Sequence, residues 1–365
     1  MIKGVIFDMD GVLINSEVYY FDAFIKMLED DGKKVDVDNF KTIVGKSHED
    51  SIAMLGEYYD GDFDENAFFE KFDRIYRGEN FNYKDLLFPY VAPLLSTLKE
   101  QGYKIALASS SLRDSIFRAI RESNIESYFE AISSGEDFDK SKPHPEIYLT
   151  TAKKLGLQPS ECIAIEDSFY GIKSAKTAGM KVIARKDEDF DINQESADFI
   201  VRNLITIPTI LDIINRNNNG FEYKIFNYGS KLYLKNLFLR NEALKKVTNV
   251  NIFNTKLTDE KDDVHFGIFN KDEIVSAVTI SEKEKNHIAQ IKSVVVNEKY
   301  RSNGIGTDIM KSSEMLCKSL GYKKIYLKAN ESRLRFFKKL GYNFTSEGYI
   351  LPLTNSIHFD MYKNI

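Results

Sequence analysis

The sequence predicts two α/β units in tandem: a parallel sheet interrupted by a helical insertion, followed by a mixed α/β unit. Three observations carry this expectation. Within residues 1–214, apolar runs such as Val5-Ile6-Phe7, Ile105–Ala108 and Ile163-Ala164-Ile165 end at acids or hydroxyls and alternate with helical stretches. That is the pattern of parallel strands buried on both faces. Beyond residue 220 the runs are β-branched, and two of them lie one turn apart, as in an antiparallel hairpin. The charge divides at the same place: residues 1–219 hold 26 Lys/Arg against 39 Asp/Glu, and residues 220–365 hold 24 against 16. The polar run Asn215-Arg216-Asn217-Asn218-Asn219-Gly220 marks a linker at 215–220 between units at 1–214 and 221–365.

A chain of 365 residues is long for one core, and 43% hydrophobic with 29% charged residues is a globular composition. No apolar stretch is long enough to cross a bilayer, and the N-terminus enters a strand at once. No leader, no membrane association and a cytoplasmic location are therefore expected. Cys162 and Cys317 sit far apart in apolar contexts and read as core thiols of a reducing compartment. The basic excess of the second half is modest and no nucleic-acid-binding motif accompanies it, so nucleic acid is not an expected partner.

Taken in order, the run Val5–Leu13 carries Asp8 and Asp10 at its carboxyl end, where open α/β sheets bind ligands, and Gly11 permits a sharp turn. From about Ser16 to Leu87, Tyr20, Phe24, Leu28, Ile52, Leu55, Phe68 and Phe72 recur at helical spacing, which predicts an insertion with a core of its own. After Pro89 come a helix through Leu94, Leu95 and Leu98 and a strand at Lys104–Ala108. Ser109-Ser110-Ser111 then offer hydroxyls and amides suited to a phosphate; capping of the Leu112–Ser123 helix is the other use for Ser110 or Ser111. Pro143 and Pro145 stiffen a loop that holds Lys142 before the Glu146–Leu155 helix, with Lys140 and His144 on the surface. Cys162–Ile165 repeats the opening pattern, a strand ending in Glu166 and Asp167, before the helix Ile172–Ala178 and short strands at Lys181–Ala184 and Phe199–Val201.

Carboxylates gathered in this way repel one another unless a hard cation or a lysine neutralises them. Asp8, Asp10, Ser109, Lys142, Glu166 and Asp167 thus suit magnesium-dependent phosphoryl transfer. In order and spacing they resemble the haloacid dehalogenase (HAD) phosphatase superfamily, nearest its β-phosphoglucomutase-like branch, with a Rossmannoid parallel sheet and a helical cap at about 16–87. The resemblance implies Asp8 as nucleophile and Asp10 as general acid/base. It implies Ser109, the Ser110 amide and Lys142 as phosphate-binding groups. It implies Mg2+ on Asp8, the Asp10 carbonyl and Asp167, with Glu166 as a further ligand or as support. The chain departs from the mutases at Tyr20 and His48, where they carry a histidine and an arginine. Hydrolysis of a small phosphomonoester, of the sugar-phosphate kind, is the expected reaction, and phosphoglucomutase-type transfer the alternative.

In the second half, the expected helix at Leu232–Val247 has Leu234, Leu237, Phe238 and Leu244 on one side. His265–Phe269 and Ile274–Ile280 form the expected hairpin, and Ile288–Val296 a long strand. That strand runs into Arg301-Ser302-Asn303-Gly304-Ile305-Gly306-Thr307, whose glycines let backbone amides approach a pyrophosphate at a helix start. A nicotinamide dinucleotide would use the same feature, but a fresh βαβ unit should then precede it. The helix to Leu320, the strand Lys324–Lys328, Asn330 and the amphipathic stretch Arg333–Tyr342 follow. This succession resembles the GNAT N-acetyltransferases. It implies acetyl-CoA binding by Val294, Val296, Arg301 to Thr307 and Asn330, and an amine as acetyl acceptor.

Many members of that family place a tyrosine, the acid for the departing thiolate, where this chain has Phe337. Tyr342 or Tyr349, or solvent, would then supply the proton, and Glu282, Glu284 or His287 would serve as base if they are not simply surface groups. The expectation is a bifunctional enzyme acting on a small phosphorylated metabolite and an amine. Its alternative is a phosphatase whose second unit binds acetyl-CoA as a regulator.

Overall fold

The computed structural model describes all residues except 45–47, 60–62, 77–81, 188–189, 191, 217–219, 247, 249, 285–286 and 353–354, together with the side chains of 48 and 49. The chain divides into two compact units, Met1–Leu204 and Ile205–Ile365.

The first unit is built on parallel strands β1 (Gly4–Phe7), β2 (Lys104–Ser109), β3 (Ala131–Ser134), β4 (Cys162–Glu166), β5 (Lys181–Arg185) and β6 (Phe199–Val201). They lie in the order β3-β2-β1-β4-β5-β6. β1 is central, and all four of its residues are buried, which is why its sequence is apolar without alternation. The strand order reverses at β1, so the crevice at its carboxyl end is where such sheets take ligands. Helices α5 (Val91–Glu100), α6 (Arg113–Glu122), α7 (Glu146–Lys154) and α8 (Phe169–Thr177) belong to this framework.

The insertion carries α1 (Ser16–Asp30), α2 (Val37–Phe40), α3 (His48–Gly56) and α4 (Glu65–Tyr76) around a core of Phe21, Met27, Leu28, Phe40, Leu55, Phe68 and Phe72. Phe190, from the loop after β5, joins that core and meets Phe21 edge to face at 5.4 Å. Both ends of the insertion are tied together: Ile14 bridges Leu87, and the Asn15 amide donates to the Leu86 carbonyl at 2.8 Å. His48, one of the two positions that depart from the mutase pattern, has its side chain outside the described residues.

The second unit opens with α9 (Ile207–Asn215), which the sequence placed in the first. Ile207, Ile210, Leu211 and Ile213 give it a strongly apolar face, and it packs on β7 (Glu222–Phe226) and α11 (Ile305–Ser319). The remaining elements are α10 (Lys231–Lys245), β8 (Val264–Asn270), β9 (Glu273–Glu284), β10 (Ile288–Val296), β11 (Lys324–Asn330), α12 (Leu334–Lys339), β12 (Asn343–Phe344), β13 (Tyr349–Leu351) and β14 (Ser356–Asn364). The sheet runs β7-β8-β9-β10-β11-β14-β12, with β13 also on β14; among the described residues only the β10–β11 pair is parallel. α10 lies differently from its expected register: Leu237 is buried, but Leu234 is 47% and Phe238 61% exposed. Its buried residues are Tyr233, Asn236, Leu237, Leu239, Arg240 and Asn241, and Glu260 accepts from both Arg240 terminal nitrogens, at 2.8 and 2.6 Å, and from the Tyr233 hydroxyl at 2.9 Å.

His265 on β8 is buried beside this pair. Its Nε2 faces the Glu260 carbonyl at 3.1 Å and must donate, which leaves Nδ1 to accept from the Thr279 hydroxyl at 3.3 Å. Burial lowers its pKa to about 4, against the opposing pull of Glu260. A histidine depressed in this way favours folding fully above the unfolded value near 6.5 and loses that contribution as pH falls toward 4, up to about 3 kcal/mol. Calorimetry from pH 7 to 4.5 should therefore show steeper acid destabilisation in the wild type than in His265→Gln; parallel pH profiles would contradict it.

Candidate active site

Asp8 follows directly on β1, its amide donating to the Ile165 carbonyl at 2.9 Å. Gly11 turns the chain with a φ of +70°, and a Cβ there would lie 1.8 Å from Asp167 Oδ2. Glycine is thus required both for the backbone conformation and for the close approach of that carboxylate. Asp10 is held at both oxygens: Oδ1 accepts from the Ser16 hydroxyl and Oδ2 from the Ser111 hydroxyl, each at 2.7 Å. Ser109 is buried and its oxygen accepts the Ser111 amide at 3.1 Å, whereas Ser110 is exposed. The Ser110 carbonyl lies against Gly135, where a Cβ would come within 2.6 Å.

Lys142 reaches into this crevice from the loop before α7. Its ammonium donates to Asp8 Oδ1 at 2.5 Å, to Glu166 Oε1 at 2.7 Å and to the Ala108 carbonyl at 3.1 Å. Glu166 is fully buried and its oxygens are saturated. Oε1 also accepts the Tyr148 hydroxyl at 2.6 Å, and Oε2 accepts the Asp167 amide, the Ser168 amide and the Ser168 hydroxyl at 3.2–3.4 Å. Asp167, at the end of β4, is buried, and its carbonyl accepts from Gln194.

The structure therefore brings Asp8, Asp10, Ser109, Lys142, Glu166 and Asp167 to one end of the sheet. Burial pushes the Asp8 carboxyl up to about 8; Lys142 opposes this, and Glu166 and Asp10 add to it. Burial, then Glu17 and Glu166, raises Asp167 well above the carboxylate range. Burial pulls the Lys142 ammonium down, but Asp8 and Glu166 outweigh it and hold it above its ordinary value. Negative charge exceeds positive charge here, and Asp8, Glu166 and Asp167 each bring a carboxylate oxygen within 4.8 Å of the others. All-oxygen donors in surplus charge are what a hard divalent cation requires, so the residues present fit Mg2+.

Sequence reasoning offered Ser111 only for a phosphate or a helix cap, and did not single out Ser16, Glu17 or Tyr148. Ser16 and Ser111 clamp Asp10, and Tyr148 supports Glu166. Glu17, in the first turn of α1, is raised to about 7 by burial and by Asp10 and Asp187. Ser16 and Glu17 directly follow the opening motif, and Ser111 ends the serine run; those positions are the only local signal. Arg185, at the end of β5, is buried, donates through two nitrogens to Asp187 Oδ2 at 3.0 Å and lies 4.3 Å from the Phe88 ring centroid. Tyr20 packs edge-on against Phe72 in the insertion.

In the second unit β10 and β11 pair only over Ile288–Gln290 and Lys324–Tyr326 and then part. One edge of Ile291–Val296, including Val294 and Val296, is left without a strand partner among the described residues. A register shift between Lys292 and Val295, with Ser293 at a φ of +53°, bends β10 at that place. Beyond it, Ser302 and Gly304 take positive φ, Gly304 caps α11, and the N–H groups of Ser302 through Gly306 have no acceptor among the described residues. Arg301 is tied back by Nε to the Val296 carbonyl and by Nη1 to Glu298, both at 3.2 Å. Gly306 and Thr307 lie in the first turn of α11. Asn330 Oδ1 caps the following turn through the Ser332 amide and hydroxyl, and its Nδ2 donates to Ser356. Unpaired amides at a helix start are an anion-binding arrangement and fit the pyrophosphate of a coenzyme.

Phe337 is buried against Tyr342. The Tyr342 hydroxyl is itself buried, and burial together with Glu314 raises it far above the phenol range. Tyr349 donates to Asp360 Oδ1 at 2.8 Å, and burial with that partner pushes it up to about 12. Both phenols hold their protons firmly. Glu282, Glu284 and His287 are exposed.

A parallel sheet with a helical insertion and an acid cluster at the end of its central strand is the architecture of a Rossmannoid hydrolase. Residues 5–185 match the haloacid dehalogenase-like hydrolase family, and residues 235–342 the acetyltransferase (GNAT) family. The chain is 33% identical over 184 residues to the phosphorylated carbohydrates phosphatase of Thermotoga maritima, spanning 50% of this chain and 83% of that protein. It is 34% identical over 186 residues to the beta-phosphoglucomutase of Bacillus subtilis, spanning 49% and 80%. It is also 34% identical over 223 residues to SUPPRESSOR OF QUENCHING 1, chloroplastic, of Arabidopsis thaliana, spanning 60% of this chain but 21% of that longer protein. The chain belongs to the haloacid dehalogenase-like hydrolase family and carries a GNAT acetyltransferase domain at its C-terminal end. Among the described residues no helix is long and apolar enough to cross a membrane.

Proposed function

We propose that the first unit hydrolyses a small phosphomonoester, of the sugar-phosphate class, through an aspartyl-phosphate on Asp8 with Mg2+ bound. The observation that carries this reading is the opposed pair of carboxylates: Asp8 is pinned by Lys142, and Asp10 is held at both oxygens by Ser16 and Ser111. Asp8 attacks phosphorus and Asp10 protonates the departing oxygen; Asp10 then deprotonates the water that cleaves the acyl phosphate. The Ser109 hydroxyl, the Ser110 amide and Lys142 bind the equatorial oxygens. Asp8, Asp167 and the Asp10 carbonyl would hold the cation, which supplies charge neutralisation between Asp8 and the phosphoryl group. Glu166, its lone pairs already filled, orients Lys142.

The likeness to a carbohydrate phosphatase supports the substrate class, and the likeness to beta-phosphoglucomutase keeps a second reading, return of the phosphoryl to a sugar. Phosphate release from sugar, nucleotide and polyol phosphates, with and without magnesium, tests the two. Magnesium-dependent release from a sugar phosphate is expected. Conversion of a hexose 1-phosphate only when a bisphosphate primer is added, with no release from any monoester, would establish the mutase instead.

For the second unit we propose acetyl-CoA binding in the parting of β10 and β11, with transfer of acetyl to an amine. The unpaired amides of Ser302–Gly306 would bind the pyrophosphate. Since Phe337 has no proton to give and both nearby candidate phenols hold theirs, the thiolate would leave unassisted by tyrosine. The same fact favours a second reading, acetyl-CoA binding without turnover. Gly304→Val forces a β-branched residue into left-handed backbone and should weaken acetyl-CoA binding about tenfold or more by calorimetry. Unchanged affinity would remove this loop from the site, and acetylation of any amine in a panel would dismiss the non-catalytic reading.

A further inference from the structure

Tyr148 lies in α7, three residues beyond Pro145, and is completely buried. Its hydroxyl donates to Glu166 Oε1 at 2.6 Å. The Lys142 ammonium shares that oxygen at 2.7 Å, stands 3.4 Å from the phenol oxygen and lies 5.1 Å from the ring centroid. An ammonium has three protons, and those of Lys142 are met by Asp8, Glu166 and the Ala108 carbonyl. The position of Nζ on Asp8 therefore depends on how strongly Glu166 draws it.

We propose that Tyr148 is a positioning residue for phosphoryl transfer: its hydroxyl supplies the second donor to Glu166 Oε1, and its ring backs Lys142, so that the ammonium stays on Asp8. Without the phenol, Oε1 has Lys142 as its one donor among the described residues, and the ammonium moves toward Glu166 and away from Asp8. The phenol is a dependable donor, because burial and then Glu166 keep its proton in place. A sequence motif does not disclose this role, since phenylalanine at 148 would serve the apolar packing of α7 equally well. The inference rests on the phosphohydrolase reading of Asp8.

Tyr148→Phe keeps the ring and removes only the donor. It should leave KM close to wild type and lower kcat about tenfold, beside the modest fall in melting temperature that loss of a hydrogen bond to a buried carboxylate brings. A purely structural tyrosine would show that fall in melting temperature with kcat intact. The double variant Tyr148→Phe/Glu166→Gln should be no slower than Glu166→Gln alone, because Tyr148 acts through Glu166. A readout independent of turnover is the fluorine NMR spectrum of the beryllium trifluoride adduct on Asp8, in which the fluorine facing Lys142 should shift in Tyr148→Phe. Unchanged kcat and fluorine spectrum, or fully additive losses in the double variant, would overturn the role of Tyr148. A wild-type protein that neither releases phosphate nor forms the adduct would overturn the phosphohydrolase reading and this one with it.

Discussion

Asp8→Asn should abolish magnesium-dependent phosphate release, by about 10⁴-fold or more, while leaving the fold intact. The amide is isosteric with the carboxylate but cannot form an acyl phosphate. The fold should tolerate the change. Asp8 is buried among Asp10, Glu166 and Asp167, and burial has already pushed its carboxyl up to about 8, so its charge is a cost in the absence of a cation. Lys142 keeps Glu166 and the Ala108 carbonyl as partners after the substitution. In metal-free buffer the melting temperature of Asp8→Asn should equal or exceed that of the wild type. The order should reverse with magnesium, which stabilises the form that binds it by about 2.7 kcal/mol at a hundredfold excess over Kd. Phosphate release and calorimetry, each with magnesium and with chelator, make the test. Retention of more than about a hundredth of the wild-type rate would be incompatible with a nucleophilic Asp8.

The parts of this site that could be read from the sequence are those that a strand delivers. Val5–Phe7 and Ile163–Ile165 are apolar on every residue, so the acids that follow, Asp8 and Glu166-Asp167, are placed at strand ends by the chain itself. Lys142 was legible because Pro143 and Pro145 follow it and stiffen its loop. The groups that hold Asp10 and Glu166 were not, for a physical reason. Ser111 meets Asp10 across 101 residues of sequence, and Tyr148 meets Glu166 from a helix whose apolar spacing a phenylalanine would satisfy as well. Such contacts are set by strand order and leave no periodic trace. α10 shows the converse. Apolar spacing puts Leu234 and Phe238 on one side with Leu237, yet both are exposed, while Arg240 is buried where Glu260 binds it. The same limit applies to α9, whose apolar stripe is plain in the sequence although the surface it covers, on β7 and α11, is not. The parting of β10 from β11 is likewise a property of two strands together, and neither strand records it alone.

Lys142→Met should damage the first unit in stability as well as in rate. The side chain is 8% exposed and its ammonium stands between Asp8 and the wholly buried Glu166. Methionine fills much of the volume, so the loss is one of charge. Removing one partner of a buried pair leaves the other charge uncompensated and typically costs about 3–5 kcal/mol; here two carboxylates lose their cation together. The direction with pH follows. Lys142 opposes the rise of the Asp8 pKa, so without it Asp8 moves still higher, and a carboxyl raised in the folded state destabilises increasingly as pH climbs above its unfolded value near 3.8. The gap in melting temperature between wild type and Lys142→Met should accordingly widen above about pH 8, where Asp8 ionises in the wild type but not in the variant, and stay level below it. Magnesium should narrow it at high pH, since a cation answers the same surplus charge. Phosphate release should fall about 10³-fold or more even at pH values where the variant is folded, because the ammonium also offsets charge on the transferring phosphoryl. Melting curves at pH 6, 8 and 9.5 decide the matter. Equal stability of the two proteins at pH 8 would show that Lys142 does not compensate Asp8 and Glu166, and the electrostatic account of the site would have to be abandoned.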